Sequence, residues 1–251
     1  MLAADLSPCA VLVTGGASGI GLSTARLFAR MGARVAINDV AAEALERAVA
    51  EIRDGGGKAF AVPGSVGEPA AADRLVNDAV ARLGGLTYLV NNAGVSRTDT
   101  PIPPADLEGV SEDMWSDILS VNLIGPFRIT RAAAAHLRES RGAVVNVAST
   151  AAYGYPGSSV AYAASKAGLV NLTRNLARAL APEVRVNAVA PGLIRTPWTA
   201  RFGPQWEERS VAMTMLGRAG MPEDIAEAIL FLCAGAGYMT GETLRIDGGL
   251  G

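Results

Sequence analysis

The chain has 251 residues, half of them hydrophobic, enough for one sizeable core and a single domain. Its 24 acidic and 22 basic side chains leave a net charge of −2 with no basic run, which excludes the electrostatic footprint of a nucleic-acid or anionic-membrane binder and points to a small-molecule partner. Cys9 and Cys233, far apart and without CxxC spacing, indicate neither a metal site nor a disulfide framework and read as buried thiols.

Taken in chain order, short β-branched runs alternate with longer Ala, Leu and Arg segments of helical spacing. The alternation predicts an α/β fold: a doubly wound, Rossmann-like parallel sheet of seven strands with helices on both faces. The first strand, AVLVT (10–14), runs into TGGASGIG (14–21) and a helix over about 20–31. RVAIND (34–39) leads to a helix over 41–53, and KAFAV (58–62) to one over 69–83. LTYLVNN (86–92) precedes a long helical region, 111–138, which Gly125-Pro126 should kink or divide into two abutting helices. AVVNVAS (143–149), a helix over 158–181 and the strand VRVNAVA (184–190) follow. Residues 191–221, rich in Pro, Gly, Trp and Met, read as one long irregular connection and a substrate lid. Pro222, Glu223 and Asp224 suit the N-terminus of a last helix, 222–234, before the strand TLRID (243–247). The strands are nearly continuous in apolar residues, as strands covered on both faces are.

Chemistry enters at the first strand-to-helix turn. The spacing Gly15-xxx-Gly19-x-Gly21 allows a tight turn whose backbone amides, at a helix N-terminus, approach phosphate oxygens. A plain left-handed turn uses glycine in the same way. No Gly-Lys-Ser/Thr follows, which argues against a nucleoside triphosphatase. Asp39, at the end of the second strand, lies where a carboxylate accepts hydrogen bonds from the adenosine ribose and repels a 2′-phosphate. The same position also suits a helix cap.

Tyr162 and Lys166, four apart on a helix, share a face. With 5 Tyr and only 2 Lys in the chain, chance gives about 0.04 such pairs. The pair suits proton chemistry without histidine: a cation ~4 Å away can lower a phenol whose free pKa is about 10. A surface Tyr packed on a Lys stem has the same spacing. His136, within RAAAAHLRES, reads as a helix-face residue.

Five segments, TGGASGIG (14–21), NNAG (91–94), Ser149 thirteen residues before Tyr162, YAASK (162–166) and VRVNAVAPGLIRTP (184–197), occur in an order that resembles the short-chain dehydrogenase/reductase family in its compact form. The resemblance covers essentially the whole chain. It implies that Tyr162 is the general acid/base, that Ser149 orients the substrate oxygen and that Lys166 binds the nicotinamide ribose. It also implies that Asn122 supports a water and proton relay to that lysine. Gly15, Ser18, Gly19, Ile20 and Gly21 would meet the pyrophosphate, Asn92, Ala93 and Gly94 the adenosine side, and Pro191, Gly192, Ile194 and Thr196 the nicotinamide end. Ser65-Val66 stands where many relatives carry Asp-Val against adenine, a weaker hydrogen-bonding partner.

The expected function is interconversion of a secondary alcohol and a ketone with NAD(H), preferred over NADP(H) because no cation accompanies Asp39. An NADPH-dependent 3-oxoacyl thioester reductase and a non-catalytic dinucleotide sensor are the alternatives. Tyr155 and Trp198 join Ser149 and Tyr162 as expected substrate contacts, and Tyr153, Phe202, Trp206, Met213 and Met215 as further apolar walls. Arg97 and Arg201 can meet a carboxylate or lie in solvent. Small-residue faces such as RAAAAH and NLARALA, with the resemblance, imply a homotetramer. No metal is expected. With no apolar run near the ~20 residues of a membrane span, the expectation is a soluble cytoplasmic protein.

Overall fold

In the computed structural model, which describes residues 5–250, the apolar runs become strands covered on both faces. β1 (Ala10–Thr14), β2 (Arg34–Asp39), β3 (Lys58–Pro63), β4 (Tyr88–Asn91), β5 (Ala143–Val147), β6 (Arg185–Pro191) and β7 (Thr243–Ile246) form one sheet in the order β3-β2-β1-β4-β5-β6-β7. All six pairings are parallel. Every residue of β1 and β5 is buried. Alternation along β1 splits its side chains between two cores, as the period of a strand requires. Val11 and Val13 pack with α1 (Gly19–Arg30), α2 (Ala42–Asp54) and α9 (Pro222–Leu230). Ala10 and Leu12 pack with α3 (Ala71–Leu83), α5 (Gly125–Glu139) and α6 (Val160–Leu180).

The chain leaves β1 for β2 and β3 on one side, then returns to place β4 on the other. That reversal opens a crevice beyond the C-terminal ends of β1 and β4, where ligands of doubly wound sheets bind.

The expected division at Gly125-Pro126 takes a specific form. α4 (Glu112–Leu119) passes through a π-helical turn, Ser120–Ile124, into α5. The Gly125 N–H donates to the Ser120 carbonyl, five residues back. Pro126 has no N–H to offer the Asn122 carbonyl, so the helix widens by a residue there instead of ending.

Two expectations need correction. Residues 191–221 are not one irregular connection, since they contain α7 (Pro197–Ala200) and α8 (Pro204–Ala212), each begun by a proline in its first turn. Cys233 is buried but Cys9 only partly so; both are free, and burial raises both thiols, Cys233 to about 12. Among the described residues no helix is long and apolar enough to cross a membrane.

Candidate active site

The turn after β1 closes only because side chains are missing from it. A Cβ on Gly15, whose φ is +61°, would stand 2.7 Å from the Ala93 Cα, and one on Gly21 would stand 2.3 Å from the Gly15 carbonyl oxygen. Gly15 thus lets the end of β1 lie against the end of β4, and Gly21 lets α1 start directly beneath the turn. Gly19, with φ +51°, sits at the first position of α1. The N-cap Ser18 is extended and its hydroxyl caps nothing, so the first-turn amides of α1 are left for an anion.

Two strand-end side chains brace this turn. Asn92 donates from Nδ2 to the carbonyls of Thr14 (3.0 Å) and Gly15 (2.8 Å). Asp39 accepts the Ala17 N–H at Oδ2 (3.1 Å) and the Ala41 N–H at Oδ1 (3.0 Å). The cap of α2 is Ala41 itself, so Asp39 is a brace of the glycine turn that also lines the cavity. Ser65 accepts the Gly67 N–H at its hydroxyl (3.2 Å), and Val66 beside it is buried.

At the other end, β5 stops at Val147, and Ser149 turns the chain into a short 3₁₀ segment, Thr150–Tyr153, by accepting the Ala151 N–H. Ser159 caps α6 by accepting the N–H of Tyr162 (3.1 Å), which fixes the first turn that carries the phenol. Lys166, one turn on and 3% exposed, donates from Nζ to the Val147 carbonyl (2.8 Å). Its ammonium lies 5.7 Å from the centre of the Tyr162 ring. Trp198 of α7 packs edge-on against that ring at 5.9 Å between centroids. Gly94 lies beside both, its Cβ position 3.6 Å from Lys166 Nζ and 3.7 Å from Trp198.

The electrostatics correct one expectation. Lys166 does not pull the phenol down in this state: burial pushes Tyr162 up to about 12, and the offset comes from its hydrogen bond with Ser149. Burial pulls Lys166 down to about 8. Both groups are thereby moved toward their neutral forms.

Asn122 sits in the π-helical turn, fully buried. Its side chain takes the Val95 N–H at Oδ1 (2.8 Å) and donates from Nδ2 to the Val95 carbonyl (3.0 Å) and the Ser165 hydroxyl (3.1 Å). Ser165 donates in turn to the Tyr162 carbonyl (2.7 Å). Asn122 therefore ties the loop after β4 to the helix that bears Tyr162 and Lys166.

These elements enclose a cavity of about 480 Å³, within the usual ~300–1,000 Å³ of a ligand site. Gly15, Ser18, Gly19, Ile20, Asp39, Ser65, Val66, Asn92, Ala93 and Gly94 line one part, and Ser149, Tyr162, Lys166, Pro191, Gly192, Ile194, Thr196 and Trp198 the other. Three expected site residues do not line it. Gly21 packs behind the turn, Asn122 acts from behind Val95, and Tyr155 turns its hydroxyl to the Leu250 carbonyl (3.3 Å). Of the further expected walls, Phe202, Trp206 and Met213 line the cavity, whereas Tyr153 and Met215 are exposed outside it. Arg97 reaches its rim while paired with Asp117 at 3.1 Å, and Arg201 lies outside, paired with Asp99 at 3.4 Å. His136 is on α5, away from the cavity.

Sequence reasoning missed Leu250, Thr214 and Ser158, which also line it. Thr214 and Leu250 are joined by an antiparallel bridge, and no local pattern links positions so far apart. Among the described residues, no group of three or more His, Cys, Asp or Glu is placed to hold a metal.

A nicotinamide dinucleotide fits these residues: the glycine cradle would be filled by any Cβ, free helix amides await a pyrophosphate, and a carboxylate and an ammonium stand where two riboses need partners. A phenol and an ammonium set side by side at such a cleft suit an oxidoreductase of the doubly wound class. A family model described as enoyl-(acyl carrier protein) reductase matches residues 15–251. A protein of Streptomyces violaceoruber named as a ketoacyl reductase of the granaticin polyketide synthase is 46% identical over 95% of this chain and 94% of its own. The 3-oxoacyl-(acyl-carrier-protein) reductase of Thermotoga maritima is 40% identical over 95% and 96%. Among solved structures, a 3-oxoacyl-(acyl-carrier protein) reductase from Brucella melitensis with bound NAD superposes with a TM-score of 0.88 at 33% identity, covering 98% of this chain and 92% of that one. The chain belongs to the short-chain dehydrogenase/reductase family, and is an oxidoreductase acting on CH–OH groups.

Proposed function

We propose that this protein interconverts a secondary alcohol and a ketone with NAD(H), using Tyr162 as general acid and base. The observation that carries the reading is a single cavity with Ser149, Tyr162 and Lys166 toward one side and Asp39 toward the other, in which Lys166 and Arg97 are the Lys and Arg side chains among the lining residues and neither belongs to the glycine turn or the end of β2. When bound, the dinucleotide supplies or accepts the hydride. Gly15, Ser18, Gly19 and Ile20 hold its pyrophosphate, and Asp39 its adenosine ribose. Ser65, Val66, Asn92, Ala93 and Gly94 flank the adenine half; Lys166 holds the second ribose, and Pro191, Gly192, Ile194 and Thr196 border the nicotinamide. Gly21 supports from behind the turn.

Ser149 donates its hydroxyl proton in a hydrogen bond to the substrate oxygen. Tyr162, kept protonated at neutral pH by its burial, gives its proton to that oxygen during reduction and takes it back during oxidation. Lys166 acts as a positioning cation and Asn122 as the brace that sets α6 against the loop after β4. Residues 191–221 form the substrate lid, with Trp198 as its contact nearest the phenol.

The relatives' names favour a second, narrower reading, reduction of a 3-oxoacyl thioester. Asp39 speaks for NADH over NADPH in that reaction also. The assembly we propose is a homotetramer: Ile124 and Phe127, each 40% exposed, lie at the junction of α4 and α5 among the small residues that suit a two-fold contact. Sedimentation should give four copies, and a lone 25.7 kDa species at micromolar concentration would refute it. Turnover is tested by following NADH consumption with a panel of ketones. Activity with at least one is expected, and none with either nicotinamide in either direction would refute the reading.

A further inference from the structure

The Lys166 ammonium is held by one hydrogen bond among the described residues, to the Val147 carbonyl at the end of β5 (2.8 Å). Its four-carbon stem is flexible, so that bond fixes the ammonium relative to the phenol only if α6 is itself fixed along β5.

Asn146, one residue before Val147, supplies the second point of attachment. Fully buried, it donates from Nδ2 to the Thr173 hydroxyl of α6 (2.9 Å) and accepts the Asn91 side-chain amide at Oδ1 (2.8 Å). Thr173 lies about two helical turns beyond Lys166, so both occupy the face of α6 that rests on β5. The strand therefore meets the helix at two rungs, Val147 with Lys166 and Asn146 with Thr173. Asn91, opposite Asn146 in the β4–β5 pairing, extends the chain to the Thr130 hydroxyl of α5 (3.0 Å).

Burial alone does not ask for amides here. Val144, on the same face of β5, and Leu137 and Leu176 of the same core are buried hydrophobics. The network even leaves one buried acceptor, Asn91 Oδ1, without a partner among the described residues, and apolar side chains of the same shape would serve stability about as well. What the amides add is direction: a buried hydrogen-bonded network specifies one arrangement, whereas apolar contact is non-directional.

We propose that Asn146 is a positioning residue for Lys166. Through Thr173 it fixes α6 lengthwise on β5, so that the ammonium stays on the Val147 carbonyl and 5.7 Å from the centre of the Tyr162 ring. Tyr162 moves with the helix and Val147 with the strand. If α6 slips, the ammonium keeps its bond to Val147 or its distance from the phenol, not both. This rests on the reading of Lys166 as the residue that holds the nicotinamide ribose beside an acid/base Tyr162.

The test breaks the Asn146–Thr173 bond from either side. Asn146→Leu and Thr173→Val should each weaken NADH about fivefold or more in fluorescence titration and lower kcat by a similar factor, whereas Thr173→Ser, which keeps the hydroxyl, should stay within about twofold of the wild type on both. Thr130→Val breaks the branch to α5 instead, and should lower Tm while leaving NADH affinity within about twofold. The same substitutions are then made in a Lys166→Met background. Lys166→Met should itself weaken NADH about tenfold or more, and adding Asn146→Leu or Thr173→Val should change affinity no further, because both act through the lysine. A merely structural role would lower the affinity again. If Asn146→Leu fails to fold, Thr173→Val, isosteric and on the helix, carries the comparison alone. Full additivity with Lys166→Met, or single variants that lose Tm while keeping NADH affinity, would overturn the proposal and leave the role of Lys166 standing. Wild-type NADH affinity in Lys166→Met would remove the role assigned to Lys166, and this proposal with it.

Discussion

Replacing Asp39 separates its two tasks, and the structure gives the size of each. Its charge would stand against the 2′-phosphate of NADP(H). At ~5 Å and an effective dielectric of 20, two unit charges repel by roughly 3 kcal/mol. Asp39 is part-exposed, so screening removes about half of that, which leaves about tenfold discrimination. The carboxylate also accepts the N–H groups of Ala17 and Ala41. Asp39→Asn keeps one amide oxygen for those donors and removes the charge, whereas Asp39→Ala removes both. In initial-rate assays with one ketone and either cofactor, the wild type should favour NADH by at least about tenfold in kcat/KM. Asp39→Asn should raise kcat/KM for NADPH about tenfold and lower it for NADH by a similar factor, the cost of about one charge-assisted hydrogen bond to the ribose. Asp39→Ala should shift the ratio likewise but also lower Tm by a few degrees, about 1–2 kcal/mol, as the glycine turn loses its brace. Arg34 cannot supply a phosphate partner: it starts β2 and donates its Nε to the Leu83 carbonyl at 2.7 Å, at the opposite end of the sheet. Equal use of the two cofactors by the wild type, or a ratio that Asp39→Asn leaves unmoved, would refute the reasoning.

Three further outcomes follow from the site. Tyr162→Phe should cut kcat at least about a hundredfold while cofactor affinity, measured by fluorescence titration, changes less than about threefold; a variant retaining a tenth of wild-type kcat would exclude the phenol as acid and base. Alcohol oxidation needs the phenol ionised, so its kcat/KM should climb with pH, and Ser149→Ala, which removes the hydrogen bond that lowers the phenol, should move that ionisation to higher pH in the pH–rate profile. Lys166 is pulled down by burial from 10.5 to about 8, so the unfolded chain holds more protons than the folded one between those values. Its contribution to stability therefore rises with pH across that window, and Lys166→Met should lower the slope of Tm against pH between about pH 8 and 9, below the range in which Cys233 and Tyr162 contribute with the opposite sign.

The sheet was legible because its signal is local. Doubly covered strands read as apolar runs, and all seven lie where the runs are, with ends displaced by one or two residues at most. The glycine turn, Asp39 and the Tyr-Lys pair were legible for the same reason, since each is a short pattern set at a strand end or on one helix face. The phenol's environment was not. Whether Lys166 or burial governs Tyr162 depends on where the ammonium points, and it points at the Val147 carbonyl, supplied by a strand nineteen residues earlier. The walls were the least readable. Tyr155 follows Ser149 closely in sequence, yet the 3₁₀ turn after Ser149 carries it round to meet Leu250. Leu250 in turn lines the cavity through a bridge to Thr214 that no spacing announces.

Rigidity is distributed across the site in a way that matches this division. Lys166, Asn122 and the strand ends beneath them are buried, and their polar groups are bonded to the backbone of neighbouring elements. Groups so held keep their geometry, which proton and hydride transfer require. Helices α7 and α8, within the proposed lid, have no such support. Neither α7 nor α8 buries a single residue. What fastens them lies at their edges: the reciprocal capping of Thr196 and Thr199, the Arg195–Glu207 pair at 2.6 Å, and the backbone bonds from Met215 and Leu216 to Gly249 and Gly248. Segments with few buried apolar contacts open at lower free energy than the core that carries them. The walls made by Trp198, Phe202, Trp206 and Met213 therefore belong to the part of the molecule that yields first, and Tyr162 and Lys166 to the part that yields last. A change of substrate can then be accommodated in the lid and the C-terminal segment without disturbing Tyr162, whereas any substitution that loosens the Asn122 brace reaches the chemistry directly through Ser165 and the first turn of α6.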